Sequence, residues 1–418
     1  MSDEQPGKAP VAAIKGTHDI LPPDSGLWQR LEGIARTVFE LYGYREIRTP
    51  IFEATELFEK GTGQTSDIVT KEMYTFTDKG GRSLTLRPEY TPSVARAIIE
   101  HRLDLQPRPL RFYYTGPMFR YDRPQKGRFR QFHQIDIEVF GESDPAIDAE
   151  IIEMADRLLK KLEVRETEIL VNSVGDRKCR PAYLDHLRAA AAAVEPSLCP
   201  DCQRKAATNP LRIFDCKVEA CRELARSFPE ISGYLCPECG DHFRRFREHL
   251  DRFGIAYRVE PRLVRGIDYY TRTTFEFATT ALGAQGAVLG GGRYDDLMKE
   301  FGGPDMPAIG FAIGLERLLG LAGIKDEPVR FAVVAYLGEE AKAAAMDLAR
   351  FLRENGIECL LEFKGRGLGN QLSRAGKLGA AWAVIVGEDE VRQGKFQVKD
   401  LATGRQRLAG KEELVDLL

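Results

Sequence analysis

Between Phe119 and Gln134 the chain reads FRYDRPQKGRFRQFHQ, setting Arg120, Arg123, Lys126, Arg128 and Arg130 against a single acid, Asp122. Arg120 ends a strand-like run, and a guanidinium on a rigid element offers a planar fork for phosphate or carboxylate. Pro124 and Gly127 hinge a loop that can close over a polyanion, although a solvated hairpin loop is the plainer alternative. Two more arginines stand at element ends: Arg265 in LVRGIDYY, and Arg317 in the first helical turn after GFAIG. TLRPEYT, residues 85–91, supplies Glu89 and Thr91, a carboxylate and a hydroxyl that suit an ammonium group. LVRGIDYY adds a flexible Gly, a carboxylate and the phenols of Tyr269 and Tyr270, an arrangement that a Tyr-rich strand end with an ion bridge would also give. Gly290–Gly292, followed by Arg293 and Tyr294, lets backbone approach a ligand but lacks the Walker lysine. Together, Arg120, Arg265 and Arg317, the buried-type carboxylates Glu89 and Glu138, and the glycines suit a nucleoside triphosphate plus a small zwitterion.

The cysteines offer a second chemistry. Cys199-x-x-Cys202 and Cys236-x-x-Cys239 are separated by 33 residues, with Cys216, Cys221 and His242 between or near. Two such pairs can close one tetrahedral zinc site, with Cys216 or His242 as substitute ligands; reduced thiols packed among helices are the alternative, and the spacing leaves both open. The polar stretch between the pairs has little apolar surface, so a metal staple would help it fold.

These residues need elements to hold them. The 418 residues, 43% hydrophobic and 29% charged, give room for two or three domains. A net charge of −3 excludes a wholly basic nucleic-acid binder, so any polyanion must meet local patches. No run has signal-peptide or membrane-span character, which points to a soluble cytoplasmic protein. Leu27–Leu41 has helical periodicity, with Gly43 as a stop. Residues 45–53 alternate as a strand, but Pro50 removes a ladder donor and favours an edge or bulge. Strands are expected at 83–88, 110–121, 132–141, 273–280 and 287–297, with 308–321 passing from strand into helix. Their connections favour an antiparallel or mixed sheet. Residues 176–258 read as a helical insertion. After Glu327-Pro328 the pattern becomes β-α-β-α-β-β, a small α/β domain with a parallel sheet expected. Within it, residues 364–377 carry Lys364, Arg366, Arg374 and Lys377 and no acid, suiting either nucleic-acid phosphates or a solvated helix face.

The order GTHDILP, TLRPEYTPSVARA, GPMFRYDRPQKGRFRQFHQ, LVRGIDYYTRTTFEF, GGGRYDDL and GFAIGLERL resembles the histidyl-tRNA synthetases, which are class II aminoacyl-tRNA synthetases. GRGLGNQLSRAGKLGAAWAVIVGEDE resembles that family's anticodon-binding domain, so the likeness covers essentially the whole chain. The resemblance implies an α+β fold: a class II catalytic domain (1–327) on a mixed, mainly antiparallel sheet, with the helical insertion, and a C-terminal α/β anticodon-binding domain (328–418). It implies ATP-dependent activation of L-histidine to histidyl-adenylate and transfer to the 3′ end of the histidine tRNA, with Mg2+ on the phosphates and a homodimer joined near Pro50. In its terms the 119–134 stretch resembles motif 2, and Arg120, Arg265 and Arg317 are catalytic. Arg120, Arg128 and Arg317 bind ATP. Histidine is bound by Glu89, Thr91, Arg120, Gln134, Glu138, Arg265, Tyr269, Tyr270 and Tyr294, with Glu138 and Tyr270 on the imidazole and Glu89, Thr91 and Gln134 on the ammonium. Four positions depart from the pattern: Tyr90, where relatives carry Gly and where a large ring could crowd the pocket; His18; and Gly369 and Gly376 in the anticodon-domain stretch. A silent regulatory paralogue would lack the C-terminal domain and signature residues, a kinase-linked tRNA sensor would need a longer chain, and a synthetase for another amino acid would lack Arg265–Tyr270.

Overall fold

The computed structural model describes residues 11–63, 66–123, 127–281, 286–325, 330–363 and 367–418. Two compact units divide the chain, Met1–Asp326 and Glu327–Leu418.

The first unit is built on an eight-stranded sheet in the order Arg45–Glu46, Leu110–Phe119, Gln131–Phe140, Ala308–Gly314, Ala287–Arg293, Thr271–Thr279, Thr167–Ser173, Arg258–Val259. Its inner pairings are all antiparallel, and the two short outermost strands pair parallel. Period-2 alternation decides its two faces. Ile135, Ile137 and Val139, with Ile309, Phe311, Ile313, Phe275 and Phe277, form a buried apolar face. The helices Asp24–Leu41 and Pro145–Lys161 cover it, contributing Leu31, Val38, Ile151, Ile152 and Leu158 to the same core. At about 1.5–3 kcal/mol for each large side chain buried, this layer is the main stabiliser of the unit. Asp144 caps the second helix by accepting from the Ala146 N–H (2.8 Å), and Lys160 and Lys161 oppose the dipole at its end. The opposite face of the sheet carries the polar residues.

The run at 45–53 does not form one strand. It breaks at Thr49-Pro50, and its halves join different sheets: Arg45–Glu46 the large one, and Phe52–Ala54 a three-stranded sheet with Ser83–Leu86 and Tyr74–Thr77. Proline's missing donor at the break is the physical reason.

The inserted segment is helical, with Arg180–Ala193, Pro200–Thr208 and Glu219–Ala225 around a small core of Tyr183, Leu187, Ile213 and Phe228. Its last helix, Pro237–Phe253, instead sends Phe246 and Leu250 into the main core.

The second unit has five strands in the order Cys359–Leu361, Ala332–Tyr336, Trp382–Val386, Lys395–Asp400, Gln406–Gly410. The expected parallel sheet is corrected to a mixed one: three strands are parallel, and the last two are antiparallel. Only the short helix Glu388–Gln393 separates Trp382–Val386 from the next strand, too little for a crossover of a dozen or more residues. Helices Glu339–Glu354 and Leu368–Lys377 lie in this unit, which has a core of its own around Val334, Leu348, Leu352 and Val384.

Candidate active site

Sheet register lays out the polar face. Gln134, Asp136 and Glu138 lie opposite Gly314, Ala312 and Gly310, whose neighbours Gly290 and Gly292 lie opposite Glu276 and Thr274. The centre of the face is therefore a trench of small residues between two polar strands. A Cβ on Gly290 would strike the Arg265 guanidinium, and one on Gly292 would come within 2.8 Å of Tyr270 Cδ1. A Cβ on Gly310 would strike Glu138 Oε2 and lie 2.9 Å from the Tyr294 hydroxyl. The triple glycine thus makes room for site side chains. Gly291 faces the core, where a Cβ would meet the Gly310 carbonyl and Phe275.

One end of the trench is acidic and buried. Glu89 accepts from Thr62 Oγ1 and from the Tyr269 hydroxyl (2.9 Å). Glu138 Oε1 accepts from Thr91 Oγ1 (2.6 Å) and from the Tyr114 hydroxyl (3.0 Å). Burial pushes the Glu138 carboxyl well above the usual range, against the Thr91 hydrogen bond; Glu89 is also raised by burial. Glu138 Oε2, the Tyr294 hydroxyl and Gln134 Oε1 are buried without a hydrogen-bond partner among the described residues. Such atoms cost free energy unless something pairs with them, so they mark a polar ligand's place. The rings of Tyr269 and Tyr294 meet edge-on at 5.3 Å, and Tyr270 is 5.1 Å from Tyr269.

Tyr90 does not crowd this end. Its ring stacks on Tyr114 at 3.5 Å, Arg87 lies over it, and its hydroxyl accepts from the Thr49 N–H (2.9 Å), away from the trench.

The other end is cationic. A cavity of about 630 Å3 is lined by Arg120, Arg128, Arg265 and Arg317, together with Gln134, Tyr270 and Gly290. Arg120 donates to the Pro88 carbonyl (2.8 Å) and lies over Phe132 at 5.2 Å, so it is aimed from the strand end as its position in the sequence implies. Arg128 pairs with Asp122 (2.8 Å), and Arg265 with Glu276 across Gly290. Arg317 reaches the carbonyls of Gly127 (3.4 Å) and Ala287 (3.3 Å). Its helix start is fixed by Glu316, which accepts from the His133 N–H (2.9 Å). Burial, then repulsion from Arg128, Arg120 and Arg265, lowers the Arg317 pKa, as expected for a guanidinium half-buried among other cations. Of the remaining motif cations, Arg130 stacks on Tyr121 (4.1 Å), Arg123 is exposed, and Lys126 lies outside the described residues.

Several residues of the site escaped the sequence reading. Asp136 could have been found, because Gln134, Asp136 and Glu138 alternate along one strand face. Tyr114 and Thr62 carry no local signal; only pairing across elements brings them in. Lys205, Arg212 and Lys217 reach the cavity from the insertion, where Arg212 lies 3.5 Å from Asp268 of the LVRGIDYY run and Asn209 donates to that carboxylate (2.9 Å).

The cysteine expectation is corrected. Cys199, Cys202, Cys236 and Cys239 do not converge. Cys199 and Cys202 gather with Cys216 and Cys221, while Cys236 and Cys239 gather with Asp176 and Cys179. Each C-P-x-C pair starts a different helix, Pro200–Thr208 or Pro237–Phe253, so the pairs are carried apart. The missed partners had a signal, since Asp176 and Cys179 repeat the three-residue spacing. His242 is no ligand here. It hydrogen-bonds the buried Asp148 (2.9 Å), which also holds Arg293 (2.7 Å). In the second unit Arg374 pairs with Glu362 (2.8 Å) and Gln371 is tied to the Tyr336 backbone; Lys364 and Arg366 lie outside the described residues.

An antiparallel sheet whose polar face joins a buried acidic pocket to an arginine-lined cavity, with arginines from a strand end and a helix start, defines a class II aminoacyl-tRNA synthetase. The Histidyl-tRNA synthetase family model matches residues 16–318, and the Anticodon binding domain model matches 332–418. The chain is 50% identical to the histidine–tRNA ligase of Halothermothrix orenii over 402 residues, 95% of this chain and 96% of that one. It is 49% identical to that of Desulforudis audaxviator over 98% of both. The apo histidyl-tRNA synthetase of S. aureus superposes with a TM-score of 0.82 at 35% identity, covering 97% of this chain and 99% of that one. The chain belongs to the histidyl-tRNA synthetase family, enzymes that aminoacylate tRNA with histidine.

Proposed function

We propose that the trench binds L-histidine at its acidic end and ATP at its arginine end, making histidyl-adenylate and then passing the histidyl group to the terminal adenosine of the histidine tRNA. The observation that carries this is the pairing of buried, unpartnered Glu138 Oε2 and Tyr294 hydroxyl with four arginines in one continuous face. An imidazole has two ring nitrogens to satisfy, and Glu138 with Tyr270 and Tyr294 offers both acceptor and donor. Glu89, Thr91 and Gln134 meet the ammonium, with Tyr269 orienting Glu89. Arg265, flat on Gly290, meets the carboxylate and α-phosphate from the side opposite Arg120. Arg120, Arg128 and Arg317 hold the triphosphate.

In the first step a histidine carboxylate oxygen attacks the α-phosphorus and pyrophosphate leaves. In the second the ribose hydroxyl attacks the acyl carbon, and AMP leaves. Charge grows on the α-phosphate in the first step, and guanidiniums already in place stabilise it without reorganisation. Asp67, Glu72 and Asp215 also line the cavity and offer carboxylate oxygens, the ligand type that a phosphate-bound Mg2+ takes; such an ion would supply charge to neutralise the leaving pyrophosphate.

The second unit is assigned to the tRNA anticodon. A homodimer is supported by the exposed apolar side chains Ile51, Phe52 and Phe76 beside the Thr49-Pro50 segment. Among the described residues no helix is long and apolar enough to cross a membrane. We place the enzyme in the cytoplasm with its tRNA. Pyrophosphate exchange and tRNA charging, run with histidine and competing amino acids, test the reading. Exchange driven equally by phenylalanine would overturn it.

A further inference from the structure

The inserted segment contains two short helices, Pro200–Thr208 and Glu219–Ala225, joined through the 3-10 turn Pro210–Ile213. Helices of such length are marginal alone in water, and their shared core is small. Cys199, Cys202, Cys216 and Cys221 lie at the centre of this knuckle. Their sulfurs all fall within 4.8 Å of one another, three of the four residues are buried, and none is in a disulfide.

Three features distinguish this group from thiols packed as small hydrophobes. The Cys199 and Cys216 sulfurs are 3.9 Å apart. A tetrahedral zinc with Zn–S bonds of about 2.3 Å has an S–S edge of about 3.8 Å. Backbone N–H groups also point at the sulfurs: Cys202 N–H at Cys199 (3.5 Å), Val218 N–H at Cys216 (3.4 Å) and Cys199 N–H at Cys221 (3.2 Å). Amides aimed at sulfur stabilise thiolates, the form that binds metal. Finally, the four come from a helix start, a turn and a second helix, so one ion would join every part of the knuckle.

We propose that Cys199, Cys202, Cys216 and Cys221 bind one structural Zn2+. With four protein ligands the site is closed and takes no part in the chemistry. Its consequence for the enzyme, which rests on the proposed ATP-binding role of the cavity, is positional. Cys199 and Cys216 are in the cavity wall beside Lys205, Arg212 and Lys217, so the ion fixes the insertion's cationic rim against Asp268 and the arginine end of the trench.

Metal content of the full chain, purified without chelator, tests the assignment. At least one zinc per chain is expected. The C202S/C221S variant is expected to lose one equivalent relative to the parent, whereas C236S/C239S, in the Asp176 group, keeps that equivalent. Should C202S/C221S fail to fold, the unmutated chain suffices: cobalt in place of zinc should give the spectrum of a tetrahedral thiolate centre, and metal should shield these four cysteines from alkylation until a chelator is added. Zinc well below one per chain, iron in its place, retention of all zinc by C202S/C221S, or alkylation of these cysteines indifferent to chelator would each overturn the site. Failure of histidine-dependent exchange in a zinc-loaded protein would count against the catalytic reading and leave the metal assignment intact.

Discussion

Arg120 and Glu138 lie toward opposite ends of one trench, and the roles proposed for them are separable by experiment. Arg120 is aimed by the Pro88 carbonyl and the Phe132 ring. Its removal should slow pyrophosphate exchange by roughly 10²–10³, far more than it weakens histidine binding, the cost of losing a donor that acts on developing charge. Exchange near the parent rate in Arg120→Ala would remove Arg120 from the triphosphate. Glu138 is different, because one oxygen is already committed to Thr91 and Tyr114 while the other awaits a ligand. Sites built on polar pairing reject analogues that lack the partner, so Glu138→Ala should reduce discrimination of histidine over phenylalanine by at least about 100-fold. Unchanged discrimination, measured as the ratio of kcat/KM in exchange, would place the ring elsewhere. Arg293 belongs to stability instead. It is fully buried against Asp148, and although burial alone would raise that carboxyl, Arg293 and His242 hold it below the usual range. Arg293→Ala strands a buried carboxylate at a cost of about 3–5 kcal/mol, readable by denaturant unfolding. A depressed native pKa contributes stability above the unfolded value and loses it as pH falls through the native one. The deficit should therefore be greatest near neutrality and narrow in acid, where Asp148 of the variant takes up its proton first.

At the scale of elements, the trench depends on missing side chains. Gly290 and Gly369 make a matched pair for testing this. A methyl on Gly290 enters the space of the Arg265 guanidinium, whereas one on Gly369, in the helix Leu368–Lys377, meets nothing within 4 Å. Gly290→Ala should lower exchange by on the order of 10²-fold, since small misplacements of a positioning group carry that cost, with the melting temperature little changed. Gly369→Ala should be neutral or stabilise by roughly 0.5–1 kcal/mol, because Ala loses less backbone entropy in a helix. Equal activity of the two variants would show that the floor need not be flat. Most elements were legible from periodicity: the helix from Asp24 to Leu41, the strands Leu110–Phe119 and Gln131–Phe140, and the strand-to-helix passage at Gly314 all follow the apolar pattern. Less legible was Gln406–Gly410, a strand with an exposed, polar surface that exists because Lys395–Asp400 offers it an edge.

For the whole molecule, the division into two units predicts separable activities. The second unit has its own sheet and core. A chain ending at Asp326 should keep histidine-dependent pyrophosphate exchange while its KM for tRNA rises, provided it remains a dimer. Loss of both activities together in a folded dimer would refute the division of labour. By itself the sequence determined the order of domains, the strand end that carries Arg120, the strand that carries Glu138, and the family, because these reside in local spacing that a linear reading preserves. Only the tertiary structure decided which groups meet. Tyr114 reaches Glu138 from the neighbouring strand, Tyr90 turns away from the pocket to Thr49, Arg212 arrives from an insertion to face Asp268, and the cysteines divide into two groups rather than one. Each of these is a contact between segments far apart in the chain. Its partners are chosen by strand register and by the direction in which each helix carries its residues, and a one-residue slip in a strand would present the opposite face.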